Sequence, residues 1–205
     1  MKLPKSWKDV TLKQFDLLNE AHEADINNVE KTIQKMMALT GEPREVFASM
    51  TVRKLHELYT SLTFLDQYPN TKDVPKVLFV NDKEYRVHTD IASLNAGRAL
   101  DLINTVVPLE GKIGSWKYLV ALLTSEPGEP YDYNRCTARA DEFYENASVE
   151  DIAPLAGFFL LLWTHLLVAI EDFSMERLNI LTDELIQSVL DSSKSSQRTG
   201  DGSAT

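Results

Sequence analysis

Two histidine–glutamate pairs, His22-Glu23 and His56-Glu57, open the way the helix of a zinc protease does, with a metal ligand followed by a general base. The second ligand has to come one helical turn later, and those positions hold Ile26 and Thr60. Neither pair completes a zinc site. His88 follows a stretch that reads as a hairpin, and His165 stands in an apolar run. The first is expected as a solvated loop group and the second as a core group bonded to a carbonyl. Cys136 is the only cysteine, which excludes an intrachain disulfide and any multi-cysteine metal site. Arg135 and Arg139 stand near enough in sequence to lower its pKa, yet no histidine is local to serve as base, so a buried, idle thiol is expected.

Phosphate chemistry is equally thin. None of the eight glycines forms a cradle, and Glu110-Gly111-Lys112 lacks the upstream glycine of a phosphate loop and runs into Ile113. Asp141-Glu142 and Asp183-Glu184 are neighbours in sequence, so on a helix their carboxylates diverge by about 100° instead of converging on a substrate. Glu145, Glu150 and Asp151 gather around a helix start, where the backbone dipole favours negative charge. The residues thus predict no catalytic group, no metal and no cofactor. What remains is aromatic: Trp7, Phe79, Tyr85 and Tyr131 are the candidate partner contacts. Trp7 has a plainer alternative, a cap folded over the first helix.

The elements that would position these side chains are mostly helices. Val10, Leu12, Phe15, Leu18 and Ala21 recur near helical spacing over Asp9 to Glu23, with Thr11 or Asp9 as N-cap. A second helix is predicted from about Asn28 to Thr40 and stops at Gly41. Pro43 suits the first turn of a short helix through Ser49. Thr51 caps a fourth, whose apolar stripe runs through Leu55, Leu58, Leu62 and Leu65 before Pro69-Asn70 ends it. Val77 to Val80 and Lys83 to Val87 then flank Asn81-Asp82, a pair that tolerates positive φ, and read as a β-hairpin within 76–88. Its apolar face is expected to carry Val77, Phe79, Tyr85 and Val87. A two-stranded ribbon alone is marginal, so that face must rest on helices or join the sheet of another chain.

A helix capped by Thr89 or Asp90 is expected next, through Val106, and another from Ser115 through Leu123. The loop Glu126-Pro127-Gly128-Glu129-Pro130-Tyr131 precedes a charged helix over Tyr133 to Glu145. Two long helices, about Asp151 to Asp172 and Met175 to Ser192, close the pattern. Ser148 with Asp151 forms a capping-box-like start for the first of them, which also explains Asn146-Ala147-Ser148 without invoking glycosylation. From Ile152 to Ile170 no residue is charged, a length that could just span a hydrocarbon core. Acidic residues flank both ends and no Lys or Arg cluster follows, so the central helix of a bundle is preferred to a membrane span.

The fold class predicted is mainly α, a multi-helix bundle with one small β-hairpin insertion. Residues 1–10 form a leader, 11–191 a single helical domain, and 192–205 a flexible polar tail too poor in apolar residues to offset its ordering entropy. At 205 residues and a formal charge of -10, the chain suits one core and repels a phosphate backbone. Its densest basic grouping is only Lys2, Lys5 and Lys8, with no apolar run behind them to make a secretory signal. Protein partners, including further copies of the chain, are expected over nucleic acid, in a reducing compartment.

The leader Leu3-Pro4 through Trp7, then Thr11-Leu12 with Gln14-Phe15, Leu39-Thr40-Gly41, Phe64-Leu65 ahead of Pro69, and the hairpin with Tyr85 together resemble small helical proteins from the structural-gene modules of tailed bacteriophages. Such proteins include tail-assembly chaperones and neck, tail and cargo components of virions, among them those of crAss-like phages. The resemblance covers the first half of the chain best. It implies a non-enzymatic structural or assembly protein, with other virion or tail proteins as partners, located in the virion or the host cytoplasm. An assembly chaperone is usually simpler than a chain with an inserted hairpin and a Pro-rich loop, which favours the virion component.

Overall fold

The computed structural model describes residues 1–90, 93–106 and 112–159. The chain divides into two compact units, Met1–Phe158 and Phe159–Thr205, and the described residues other than Phe159 belong to the first. The expected second closing helix, the tail over 192–205 and the segment Leu160 to Ile170 lie outside the described residues.

The protein is mainly α-helical with a small three-stranded antiparallel sheet. Most helix ends are set by the side chain at the boundary. Helix α1 (Leu12–Glu23) begins after Thr11, whose hydroxyl accepts from the Gln14 amide while the Gln14 side chain accepts from the Thr11 amide, a reciprocal capping box. Asn27 caps α2 (Asn28–Thr40) in the same sense, and Gly41 ends it in the left-handed conformation, φ 70°, that a side chain would resist. After α3 (Arg44–Ala48), Thr51 caps α4 (Val52–Thr60). The fourth stripe is shorter as a helix than expected: it stops at Thr60, and Leu65 belongs to a 3-10 turn, Thr63–Asp66.

Leu55 and Leu62 still meet Val10, Ile33, Met36, Leu39, Phe47, Val149 and Ala153 in one buried cluster, with Trp7, Phe15 and Trp116 packed around it. Each such side chain taken fully out of water contributes about 1.5–3 kcal/mol. The leader is part of this fold. Val149 donates its amide to the Val10 carbonyl at 2.8 Å and Leu12 donates to Ala147 at 3.0 Å, closing an antiparallel bridge between Thr11 and Ser148.

Strands β1 (Val77–Val80) and β2 (Lys83–Val87) join through Asn81 and Asp82, both at positive φ, as expected of a two-residue turn. That turn pairs Val80 with Lys83 and Leu78 with Tyr85, so even-numbered residues of β1 share a face with odd-numbered residues of β2. The buried face is therefore Leu78, Val80 and Tyr85, and Phe79 points outward at 65% exposure. The expected face of Val77, Phe79, Tyr85 and Val87 is corrected by this register. The ribbon also finds its third strand within the chain. β2 pairs with β3 (Thr124–Ser125), two residues with no periodicity to announce them.

Helix α5 (Ala96–Val106) starts later than Thr89 or Asp90 would set it, with the Asn95 side chain accepting from the Arg98 amide. Helix α6 (Trp116–Leu123) packs against both α5 and α7 (Tyr133–Asn146), and α7 also packs on α1, where the Tyr144 hydroxyl donates to Asp16 at 2.8 Å. Helix α8 covers 149–159 and starts with Ser148 and Asp151 hydrogen-bonded to one another. Ile152 through Ala156 are buried, as a core helix requires. Among the described residues no helix is long and apolar enough to cross a membrane. Gly157 allows a close approach, since a Cβ there would lie 2.7 Å from the Thr71 side chain.

Candidate functional site: a buried polar cluster behind the sheet

Five polar or charged residues are buried among those described: Arg98, Ser115, Thr124, Ser125 and Arg139. All but Ser115 belong to one region, where α5, β3 and α7 meet the inner face of the hairpin. Its centre is Tyr85, whose ring packs edge-on to Phe143 at 4.9 Å and lies under the Arg139 guanidinium at 5.3 Å. Arg139 donates to both carboxylate oxygens of Glu129, at 2.6 and 2.8 Å, and to the Thr124 carbonyl at 3.1 Å. One side chain thus ties α7 to the Pro-rich loop and to β3. A cleft of about 370 Å³ lined by Tyr85, Glu126, Glu129, Arg139 and Glu142 opens beside it.

The Tyr85 hydroxyl is sealed from solvent without a hydrogen-bond partner, and burial raises its pKa. On the α5 side, Tyr131 donates its hydroxyl to Asp101 and presents its ring to Arg98, 4.9 Å from the guanidinium carbon. Burial foremost, and then Asp101, push the Tyr131 phenol well above its ordinary range. Arg98 is 5% exposed and its side chain makes no hydrogen bond or ion pair among the described residues. Burial and the nearby Arg139 lower its pKa, opposed by Cys136, Tyr131 and Glu129.

His88 stands at the mouth of this region and is half-buried, not the solvated loop group expected. Its amide donates to the Leu123 carbonyl at 2.8 Å, and its Nε2 lies 2.9 Å from the Ser125 hydroxyl. Burial, then Arg98 and Arg86, lower its pKa and keep the ring neutral near pH 7. A serine–histidine pair is the start of a nucleophile and its base. Here the ring has no carboxylate at its other nitrogen among the described residues, and Ser125 is 7% exposed in a strand. Cys136 is buried and its thiol is pushed up by that burial, which outweighs Arg139 and Arg98. The arginine effect expected from sequence is present, but desolvation exceeds it.

The four candidate contacts separate. Tyr85 is fully buried at the centre of the cluster, so it is unavailable at the surface. Trp7 packs edge-on against Phe15 and Phe64, with its indole nitrogen donating to the Gln67 carbonyl at 2.8 Å; it is the cap over the first helix. Tyr131 is half-buried against Arg98 and Asp101. Phe79 alone of the four is exposed. Sequence reasoning missed Arg98, Arg139, Glu129 and Ser125; Arg139 was noticed only as a neighbour of Cys136.

Elsewhere, a groove of about 580 Å³ between α1 and α2 is lined by Leu17, Ala21, Met37, Ala38 and Pro43, with Glu20, Gln34 and Glu42 at its edges. Among the described residues no group of histidine, cysteine and carboxylate side chains is arranged to hold a metal ion. Compared with protein-family models, curated proteins and solved structures, the chain finds no match.

Proposed function

We propose that this protein is a non-enzymatic structural or assembly component of a tailed-phage virion, at the neck or tail or as cargo, working through protein–protein contacts. The observation that carries the reading is the outer face of β1. This is an edge strand of the described sheet, and it presents Phe79 at 65% exposure beside the half-buried Val77. An edge strand offers unpaired backbone groups, and an aromatic on it supplies an anchor for another chain. Support comes also from what the interior polar groups do: Arg139, Glu129 and Thr124 hold three elements together, and Cys136 is buried as a neutral thiol. The resemblance of the leader, the helix starts and the hairpin to phage structural-gene products supplies the setting, and the formal charge of -10 favours protein partners over a phosphate backbone.

Mass spectrometry of gradient-purified particles tests this. Presence at a fixed copy number supports a virion component. Absence from particles, with the protein abundant in infected cells and bound to unassembled tail proteins, overturns it in favour of a transient tail-assembly chaperone.

A further inference from the structure

The geometry points to a carboxylate-binding site at Arg98, in which the guanidinium stacked on Tyr131 receives a monoanionic carboxylate from outside the described residues.

A guanidinium that is nineteen-twentieths buried has lost its water, and burying a charge without a counterion costs more than a stacked ring returns. Arg98 is in that condition: its Nε is sealed without an acceptor, and its side chain has only the face of Tyr131. The acids that might neutralise it are engaged. Asp101, one turn along α5, accepts from the Tyr131 hydroxyl. Glu129 holds Arg139 with both oxygens. Asp132 caps α7 by accepting from the Arg135 amide at 3.1 Å. Arg139 and Glu129 cancel one another, so one positive charge is left over.

The surroundings select the ligand. Tyr131 covers a face of the guanidinium and leaves its edge, where the planar fork of N–H donors matches the two oxygens of a carboxylate. A dianionic phosphate would bring a second negative charge towards Glu129 and Asp101. A halide cannot engage two donors in the fork. An opening that leaves Arg98 5% exposed admits a group of a few atoms and not a base or a sugar. The carboxylate can be a free small acid or the side chain of an acidic residue on a polypeptide, and the chemistry of recognition is the same. The site does not depend on the virion reading.

Thermal unfolding of the full chain in a chloride-free zwitterionic buffer tests it, with sodium acetate, sodium phosphate and sodium chloride added at equal ionic strength. Acetate is expected to raise the melting temperature by a few degrees, growing with concentration as selective binding to the native state requires. Phosphate and chloride are expected to leave it nearly unchanged. The Arg98→Met variant should melt at or above the wild-type temperature without acetate and show no acetate shift, and Arg98→Lys should show a weakened one. A capped glutamate with capped glutamine as control separates the sources: a shift with glutamate assigns a polypeptide carboxylate, and a shift with acetate alone assigns a small free acid. Equal shifts with all three salts, no shift with acetate, or an Arg98→Met variant that melts several degrees lower in the anion-free buffer overturns the proposal. The last result would make Arg98 a structural residue.

Discussion

Replacing Arg139 by methionine removes three hydrogen bonds at once, two to Glu129 and one to the Thr124 carbonyl, together with the cation over the Tyr85 ring. The side chains of the ion pair are 6% and 13% exposed, so solvent cannot replace what is lost. Breaking such a pair from one side leaves an uncompensated buried charge and costs about 3–5 kcal/mol. Removing both partners gives a different result, because an apolar pair of similar volume avoids the desolvation of two ions. Arg139→Met is therefore expected to lose about 3–5 kcal/mol, and Arg139→Met with Glu129→Met to come back to within about 1–2 kcal/mol of the wild type. Urea unfolding followed by circular dichroism gives both values, provided the m-values agree. A single variant that loses less than about 1 kcal/mol would place the pair in water, as for exposed ion pairs. A double variant as unstable as the sum of the singles would mean that the two side chains act independently, which contradicts a bidentate pair.

Two further substitutions probe the same region. Tyr85→Phe removes a sealed hydroxyl that has no partner, so it should be neutral or stabilising by about 1 kcal/mol, where a bonded tyrosine would lose a similar amount; equilibrium unfolding decides, and a loss above about 1 kcal/mol would reveal a partner for the hydroxyl. His88 has a folded pKa below its ordinary value of 6.5, so its contribution to stability is complete above that value and is lost as pH falls from there towards the folded value. Unfolding free energies measured from pH 7.5 to 5.5 should decline less steeply for His88→Asn than for the wild type, and an equal slope would refute the desolvation argument.

What could be read in the sequence was what neighbouring residues decide. Thr11, Thr51 and Gly41 mark helix ends because their own side chain, or its lack, satisfies or frees the adjacent backbone. Asn81-Asp82 marks a tight turn for the same reason. The face of the hairpin was also legible in principle, since a two-residue turn fixes Val80 opposite Lys83 and so puts Leu78 with Tyr85; hydrophobicity alone had suggested Phe79. The polar cluster was not legible. Arg139 meets Thr124 and Glu129, fifteen and ten residues away, and Arg98 meets Tyr131 across a helix and a strand. Nothing in the spacing of two arginines within charged helices distinguishes a buried one from a solvated one.

The seam between Val10 and Val149 also bears on the order of assembly. Its two hydrogen bonds join parts of the chain that leave the ribosome far apart in time. Closing so long a loop costs roughly 4 kcal/mol in chain entropy by the logarithmic scaling, which few local contacts offset before the intervening helices are in place. Helices α1 to α4 can therefore gather as a provisional cluster during synthesis, but Val149 and Ala153 complete it only after α7 has emerged. A nascent chain paused before residue 147 would carry an open apolar seam along its first helix, and for that interval the leader is the part of the molecule most exposed to capture by another chain.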